Sequence, residues 1–354
     1  MPVTLAQAQL NTNDDVNFAV IDNLRRYSWL LDQVVFDDTV TPGTGGASLT
    51  YGYTRLLAAR GAQFRAFNAE FVPAQASRER KTVDLKPLGG SFQVDRALAQ
   101  LGPAVTNEIT FQMSQLLTST RTRFQDELIN GDVAVDANGF DGLDKSLVGQ
   151  STEYLPLAEG TATGFLNWTV GSITDQTKAH AALDALDDFL SRIVPSKTGG
   201  GDLGAAGALP VGVKAILGNT TSITRVRALA RWAAMFTAQK DDLGREIEMY
   251  GSWVLIDLGD KDDGSGPIIP IETRDPDAGG AGGNVTGLTD LYAASFGLDS
   301  LHGASPAGRE LVQTYMPPMD LPGAVKTGEI EMGPVAGVLR NTKSCAVLRN
   351  VKVK

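Results

Sequence analysis

The hydrophobic positions of this chain change their spacing along its length, and each change marks an element. Over residues 14–34, Val16, Val20, Leu24, Tyr27 and Leu31 recur at helical spacing, with Asn13 as N-cap and Asp14 and Asp15 in the first turn. This predicts a helix, ended by the loop TPGTGGAS at 41–48. From Phe67 to Arg96 the period becomes two. In FNAEFVPAQASRERKTVDLKPLGGSFQVDR, Val83 and Leu85 alternate with Thr82, Asp84 and Lys86. The stretch predicts a long two-stranded arm with Arg78-Glu79-Arg80-Lys81 at its tip. Helical spacing then returns in LGPAVTNEITFQMSQLLTSTRTRFQDELING, where Val105, Ile109, Met113, Leu116, Leu117, Phe124 and Leu128 keep one face. Gly102-Pro103 forms the entry and Asn130-Gly131 the exit. At about 1.5 Å per residue this helix is roughly 40 Å long, a spine rather than a member of a compact bundle.

Beyond the turn-rich 136–147 a second body follows. A helix over 175–194 uses Ala179, Leu183, Leu186 and Leu190 and is stopped by Pro195. VKAILG (213–218) reads as a buried strand, Thr221 to Phe236 as another helix, and WVLIDLG (253–259) as a strand. LYAASFG, KTGEIEM, VAGVL and SCAVLRNVKV read as short strands near the end. Glycine-rich loops lie at 199–207 and 276–284, and no internal repeat is visible. The pattern is an α+β mixture rather than a regular βαβ alternation.

Composition narrows the chemistry. A hydrophobic content of 42% over 354 residues is enough for a real core and for two domains, or one large domain with extensions. The single cysteine, Cys345, excludes an intrachain disulfide and a cysteine metal cluster. No run of 18 apolar residues occurs, and MPVTLAQAQLNTNDD lacks a signal-peptide pattern, so the expectation is a chain made in a cytosol without a membrane span. The net charge of −10 argues against a dedicated nucleic-acid binder. That charge is uneven: residues 60–96 hold seven basic and four acidic side chains, a net of +3, which leaves −13 for the remainder.

Catalytic and ligand motifs fail one by one. The glycine clusters at 43–46, 199–201 and 279–283 lack both the phosphate-loop and the dinucleotide pattern. Around Asp136 and Asn138 a calcium loop would need a glutamate where Lys145 stands. DKDDGSG (260–266) reads as a solvated turn. His180 is expected on a helix surface, His302 in the turn-like GLDSLHGAS, and Cys345 as a buried thiol in a strand. No catalytic, cofactor-binding or metal-ligating residues are assigned, and the chain is not expected to be an enzyme.

The arm then becomes the informative feature. Its apolar residues are Phe67, Phe71, Val72, Val83, Leu85, Phe92 and Val94, too few to order some thirty residues when an isolated hairpin is at best marginal. Either it is disordered or a surface outside its own domain completes it; the strict alternation in KTVDLK argues against disorder, and a basic arm on an acidic body points to another copy of the chain. Arg78, Arg80, Lys81 and Lys86 are the expected intersubunit contact residues.

The order of parts resembles the major capsid protein of tailed bacteriophages, the Hong Kong 97-type fold. The residues carrying the resemblance are Pro87 to Arg96 (PLGGSFQVDR), the helix Pro103 to Asn130, and Gly139 to Asp144 (GFDGLD). The resemblance implies an N-terminal arm over 1–48 and an extended loop over 60–90 that lies on a neighbour. It implies a peripheral domain from 49–59, 91–140 and 285–340, and an axial domain from 141–284 and 341–354. It implies self-assembly as hexamers and pentamers into an icosahedral shell around double-stranded DNA, located in the virion. Portal and scaffolding proteins are implied partners, decoration proteins a further class, and no cofactor is implied. Some relatives crosslink a loop lysine to the next subunit; for Lys81 and Lys86 ordinary ion pairs are the expectation. An encapsulin-type compartment shares the fold and is the first alternative. A soluble, arm-exchanged oligomeric enzyme is the second, though it needs a concave titratable cluster that the sequence does not offer.

Overall fold

The computed structural model describes residues 28–41, 49–58, 60–99, 108–193, 213–232, 236–240, 246–277, 283–308 and 310–354. Within them the chain opens with one helical turn, α1 (Trp29–Gln33), and a strand, β1 (Phe36–Val40). β2 (Thr50–Ala58) and β3 (Ser77–Asp84) follow, then β4 (Lys86–Asp95), a turn of helix α2 (Arg96–Ala99) and the long α3 (Glu108–Asn130). Next come α4 (Leu143–Ser146), β5 (Glu153–Tyr154), β6 (Leu166–Asn167), α5 (Gln176–Ser191), β7 (Lys214–Gly218) and α6 (Thr220–Trp232). The strands β8 (Phe236–Lys240), β9 (Glu246–Tyr250), β10 (Trp253–Asp257) and β11 (Glu272–Arg274) lead to β12 (Val285–Ser295). β13 (Leu301–Pro306), β14 (Val312–Tyr315), β15 (Val325–Leu339) and β16 (Cys345–Lys352) complete the fold.

Nine strands make the larger sheet, in the order β5-β16-β12-β7-β10-β9-β8, with β11 on β12 and β6 on β16. Its central strands are buried on both faces, which is why KAILG, LYAAS and CAVL are apolar without interruption. Alternate side chains go to opposite cores. Ile216, Leu291, Ala293, Ala346 and Leu348 face α5 and α6. Ala215, Leu217, Tyr292, Ala294 and Val347 join Phe124, Leu128 and Ile129 of α3 in the other core. α5 forms because Ala179, Ala182, Leu183, Leu186, Phe189 and Leu190 make one buried stripe behind an Asp175 cap, whose carboxylate accepts from Lys178 N–H at 2.9 Å.

The smaller sheet runs β1-β13-β15-β14, with β4 also paired to β15. Leu88, Gly90 and Val94 of β4 and Ile330 and Met332 of β15 point inward, where α3 lies against both strands. The approach is so close that a Cβ on Gly90 would stand 2.7 Å from Leu116. With 23 residues α3 is about 35 Å long, and its fully buried positions, from Thr120 to Ile129, all lie in its C-terminal half.

Several expectations need correction. The two-stranded arm is β2 with β3, in the register Thr50↔Asp84 to Ala58↔Ser77. Arg78 to Lys81 therefore lie along a strand and not at the tip, and the turn is the long stretch 60–76. FVPAQA cannot serve as the first limb, because Pro73 lacks a backbone donor and its neighbours offer no alternation. β4, expected in the arm, is a body strand paired with β15. KTGEIEM and VAGVL are one strand, bent by a register shift between Met332 and Val335 that accommodates Pro334. His302 is not in a turn but fully buried on β13. α6 ends at Trp232, short of Phe236, where β8 starts. Residues 285–295 form β12 of the larger sheet. Most of the expected helix at 14–34, the spine entry at Gly102-Pro103 and the loop 199–207 lie outside the described residues.

Candidate intersubunit surface

The β2–β3 ribbon has two halves with different surroundings. At its root the inward face of β2 carries Tyr51, Tyr53 and Arg55, and that of β3 carries Val83. Tyr51 is buried, and Tyr53 and Val83 are half-buried against the core that joins the two sheets. Tyr51 Oη–H donates to Asp37 Oδ2 at 2.9 Å, and Tyr53 Oη–H donates to the Leu339 carbonyl at 3.0 Å. Arg55 donates from Nε to Arg340 O at 3.0 Å and from Nη2 to Leu339 O at 2.7 Å. Burial first, and then the bond to Asp37, push the Tyr51 phenol up to about 12. Four hydrogen bonds thus pin the root to the end of β15 and to β1.

Beyond Arg55 the ribbon leaves the body. Leu56 and Leu57 are exposed, and in the loop Phe64 and Phe67 are 106% and 99% exposed, with Phe71 and Val72 also largely in solvent. The loop is nonetheless locally built. Arg65 Nη1–H donates to Ala69 O at 3.0 Å, and its guanidinium stands 5.3 Å from the Phe71 ring centroid. Gln63 Nε2–H donates to Val72 O at 3.0 Å. Asn68, at φ 64°, takes the left-handed conformation that lets the chain reverse between Ala66 and Ala69. A shaped loop that offers contiguous apolar side chains to solvent marks an interaction surface.

The four expected contact residues separate on this frame. Arg78 and Arg80 are exposed on the ribbon's outer face, and no carboxylate among the described residues forms an ion pair with either. Lys81 points the other way and pairs with Glu79 at 2.6 Å. Lys86 begins β4 and helps line a cleft of 440 Å³ beneath the ribbon root, with Tyr53, Arg55, Val83 and Phe140.

A second surface was not anticipated. The outer face of the smaller sheet, opposite α3, carries Ser91 and Gln93 of β4, Thr327, Glu329 and Glu331 of β15, and Gln313 and Tyr315 of β14. Glu329 is exposed and Glu331 half-exposed, and neither has a basic partner among the described residues. Alternation in KTGEIEM held the signal, since Glu329 and Glu331 interleave with buried Gly328, Ile330 and Met332.

The remaining polar clusters are structural. Arg349 of β16 binds Asp144, donates to Glu153 at 3.1 Å and to Asp290 at 3.1 Å, and Arg274 binds Asp290 from the other side. Tyr292 Oη–H donates to Asp144 at 2.8 Å. This network joins β11, β12 and β16 to α4, and its acids are already matched by guanidinium groups. Cys345 is fully buried, and burial pushes its thiol up to about 12. No group of three or more His, Cys, Asp or Glu side chains is placed to hold a metal ion among the described residues, and no described helix is long and apolar enough to cross a membrane.

No protein-family model matches the chain, and no curated protein matches it in sequence. Solved structures match it almost end to end. The holo-SrpI encapsulin complex from Synechococcus elongatus PCC 7942 matches with a TM-score of 0.59 at 14% identity, covering 100% of this chain and 98% of that one. The capsid of a native GTA particle matches with a TM-score of 0.56 at 11% identity, covering 98% and 97%. The mature capsid of bacteriophage PhiM1 matches with a TM-score of 0.51 at 11% identity, covering 98% of both chains. Two sheets about a long helix, a ribbon projecting from their junction and this full-length likeness give the chain the α+β Hong Kong 97-like fold of capsid and encapsulin shell proteins.

Proposed function

We propose that this chain is the subunit of a closed shell and, more specifically, the major capsid protein of a tailed bacteriophage. Hexamers and pentamers of it would build an icosahedral shell around double-stranded DNA in the virion. The observation that carries the shell reading is the ribbon's outer half, where Leu56, Leu57, Phe64 and Phe67 stand exposed. A heterologous contact repeated around a ring needs such a projecting element and a receiving surface elsewhere on the molecule. In this reading the loop 60–76 lies on the next copy. Arg78 and Arg80, unpaired among the described residues, meet Glu329 and Glu331 of that copy's smaller sheet, which are likewise unpaired among the described residues, and Lys81 and Lys86 border the contact. The smaller sheet with α3 is the peripheral domain, and the larger sheet with α5 and α6 is the axial domain. The acidic balance of −13 outside residues 60–96 favours a wall that repels packaged DNA rather than binding it. Portal and scaffolding proteins are the further partners this reading requires.

A second reading is an encapsulin-type compartment that encloses protein cargo. Its support is the TM-score of 0.59 with the encapsulin complex, above the 0.56 and 0.51 of the two capsids. The experiment that tests both is purification of the assembled protein from its native host, with negative-stain microscopy and analysis of the contents. Closed particles containing double-stranded DNA support the capsid, and closed particles containing an enzyme support the compartment. A monodisperse dimer or monomer overturns the shell reading altogether.

A further inference from the structure

At the root of the ribbon three polar side chains from three strands meet inside the protein. Asp37 comes from β1, Tyr51 from β2 and His302 from β13. Tyr51 Oη stands 2.9 Å from Asp37 Oδ2 and 3.3 Å from His302 Nε2, and the tyrosine and imidazole rings meet edge to face at 5.7 Å. His302 is 0% exposed, and its Nδ1 has no hydrogen-bond partner.

The protons can be assigned from this chain of contacts. Tyr51 has one hydroxyl proton, and the Asp37 carboxylate takes it. The phenol oxygen can then only accept from His302, so Nε2 carries the ring proton and Nδ1 is bare. A second proton must go to Nδ1, buried inside the protein, where the Ser300 carbonyl is the only hydrogen-bonding group that favours it from that side. The Ser300 carbonyl on that side already accepts from Arg340 N–H at 3.1 Å.

We infer that Asp37, Tyr51 and His302 form a proton-operated latch, in which neutral His302 holds the ribbon root on the body and its protonation releases β2. The surrounding charges do not rescue the cation. Arg340 and Asp299 face the ring, but they pair with each other at 3.4 Å. Asp37 lies beyond Tyr51 and already accepts its hydroxyl. On the Tyr53 and Arg55 side, both groups are committed to the Leu339 and Arg340 carbonyls. Burial is the largest influence on His302 and holds its pKa below the ordinary value, ahead of the Ser300 and Asp37 effects that favour the proton. The sign follows: the closed state binds the proton less well than the open one, so closure is strongest above an ordinary imidazole pKa of about 6.5 and weakens as the pH falls below it. The latch stands on the single chain; in a shell it would make the ribbon's grip on the next copy acid-sensitive.

The test uses the full-length, unassembled chain, so its outcome does not depend on whether shells form. Amide hydrogen exchange at Tyr51 to Arg55 and Arg80 to Val83 is followed between pH 7 and pH 5, corrected for the intrinsic pH dependence. With an open-state imidazole near pH 6.5, the open fraction rises by up to about 25-fold over this range. H302F, which keeps a ring against Tyr51 but cannot titrate, should abolish the rise. Independently, the His302 imidazole resonance should titrate below the ordinary imidazole value of about 6.5, with its midpoint tracking ribbon opening. An equal rise in H302F, or a His302 resonance that titrates at the ordinary imidazole value while the ribbon amides stay protected, overturns the latch.

Discussion

Replacing Phe64 and Phe67 together with serine separates the stability of the chain from its ability to assemble. Both rings stand in water at 106% and 99% exposure, so their loss removes no packing from the single chain. On a neighbouring copy each buried phenylalanine contributes about 1.5–3 kcal/mol, or roughly 3–6 kcal/mol for the pair in each contact. At about 1.4 kcal/mol per factor of ten, the contact weakens by at least about 100-fold. The concentration at which light scattering reports assembly should rise by a similar factor, while the denaturant midpoint of the unassembled chain stays unchanged. Phe189→Ala provides the opposite control: that ring is 0% exposed beneath α5, and its loss should cost about 3–5 kcal/mol of stability. The reasoning is refuted if the double serine variant destabilises the chain as Phe189→Ala does, or if it assembles at the wild-type concentration.

Charge reversal tests the proposed pairing of ribbon and sheet. R78E/R80E and E329K/E331K should each block assembly, and the four substitutions combined should restore it in an electron-microscopic particle count; equal assembly by either pair alone dismisses the contact. Asp290→Asn leaves Arg274 and Arg349 without their shared buried carboxylate and should cost about 3–5 kcal/mol in denaturant unfolding. A loss below about 1 kcal/mol would mean the remaining acids of the network suffice. Cys345, with its thiol near 12, should be about 10⁻⁴ ionised at pH 8 and resist a thiol reagent until the chain unfolds. Labelling of the folded protein within minutes contradicts that burial.

Sequence periodicity read the interior well and the ribbon badly, for physical reasons. α5 and the C-terminal half of α3 were legible because one local stripe of apolar residues buries each of them. KAILG and CAVL were legible because strands covered on both faces leave no polar positions. The ribbon's register was hidden, since TYGYTRLLA and SRERKTVD pair across an intervening loop and neither has an apolar face of its own. Tyr51, Tyr53 and Arg55 seat the root of that ribbon on its own body, and only its outer half stands exposed. His302 misled because Gly303 beside it suggested a turn. That glycine instead lets β13 pass Phe36, whose ring would stand 2.4 Å from a Cβ there. The ionic network was invisible because Asp144, Arg274, Asp290 and Arg349 are brought together only by the larger sheet.

Electron cryomicroscopy of the purified, assembled protein tests the central claim most directly. The account predicts a closed shell in which residues 60–76 of each copy lie on the next, with Phe64 and Phe67 out of solvent. A small oligomer, or a shell in which that loop touches no neighbour, would contradict it.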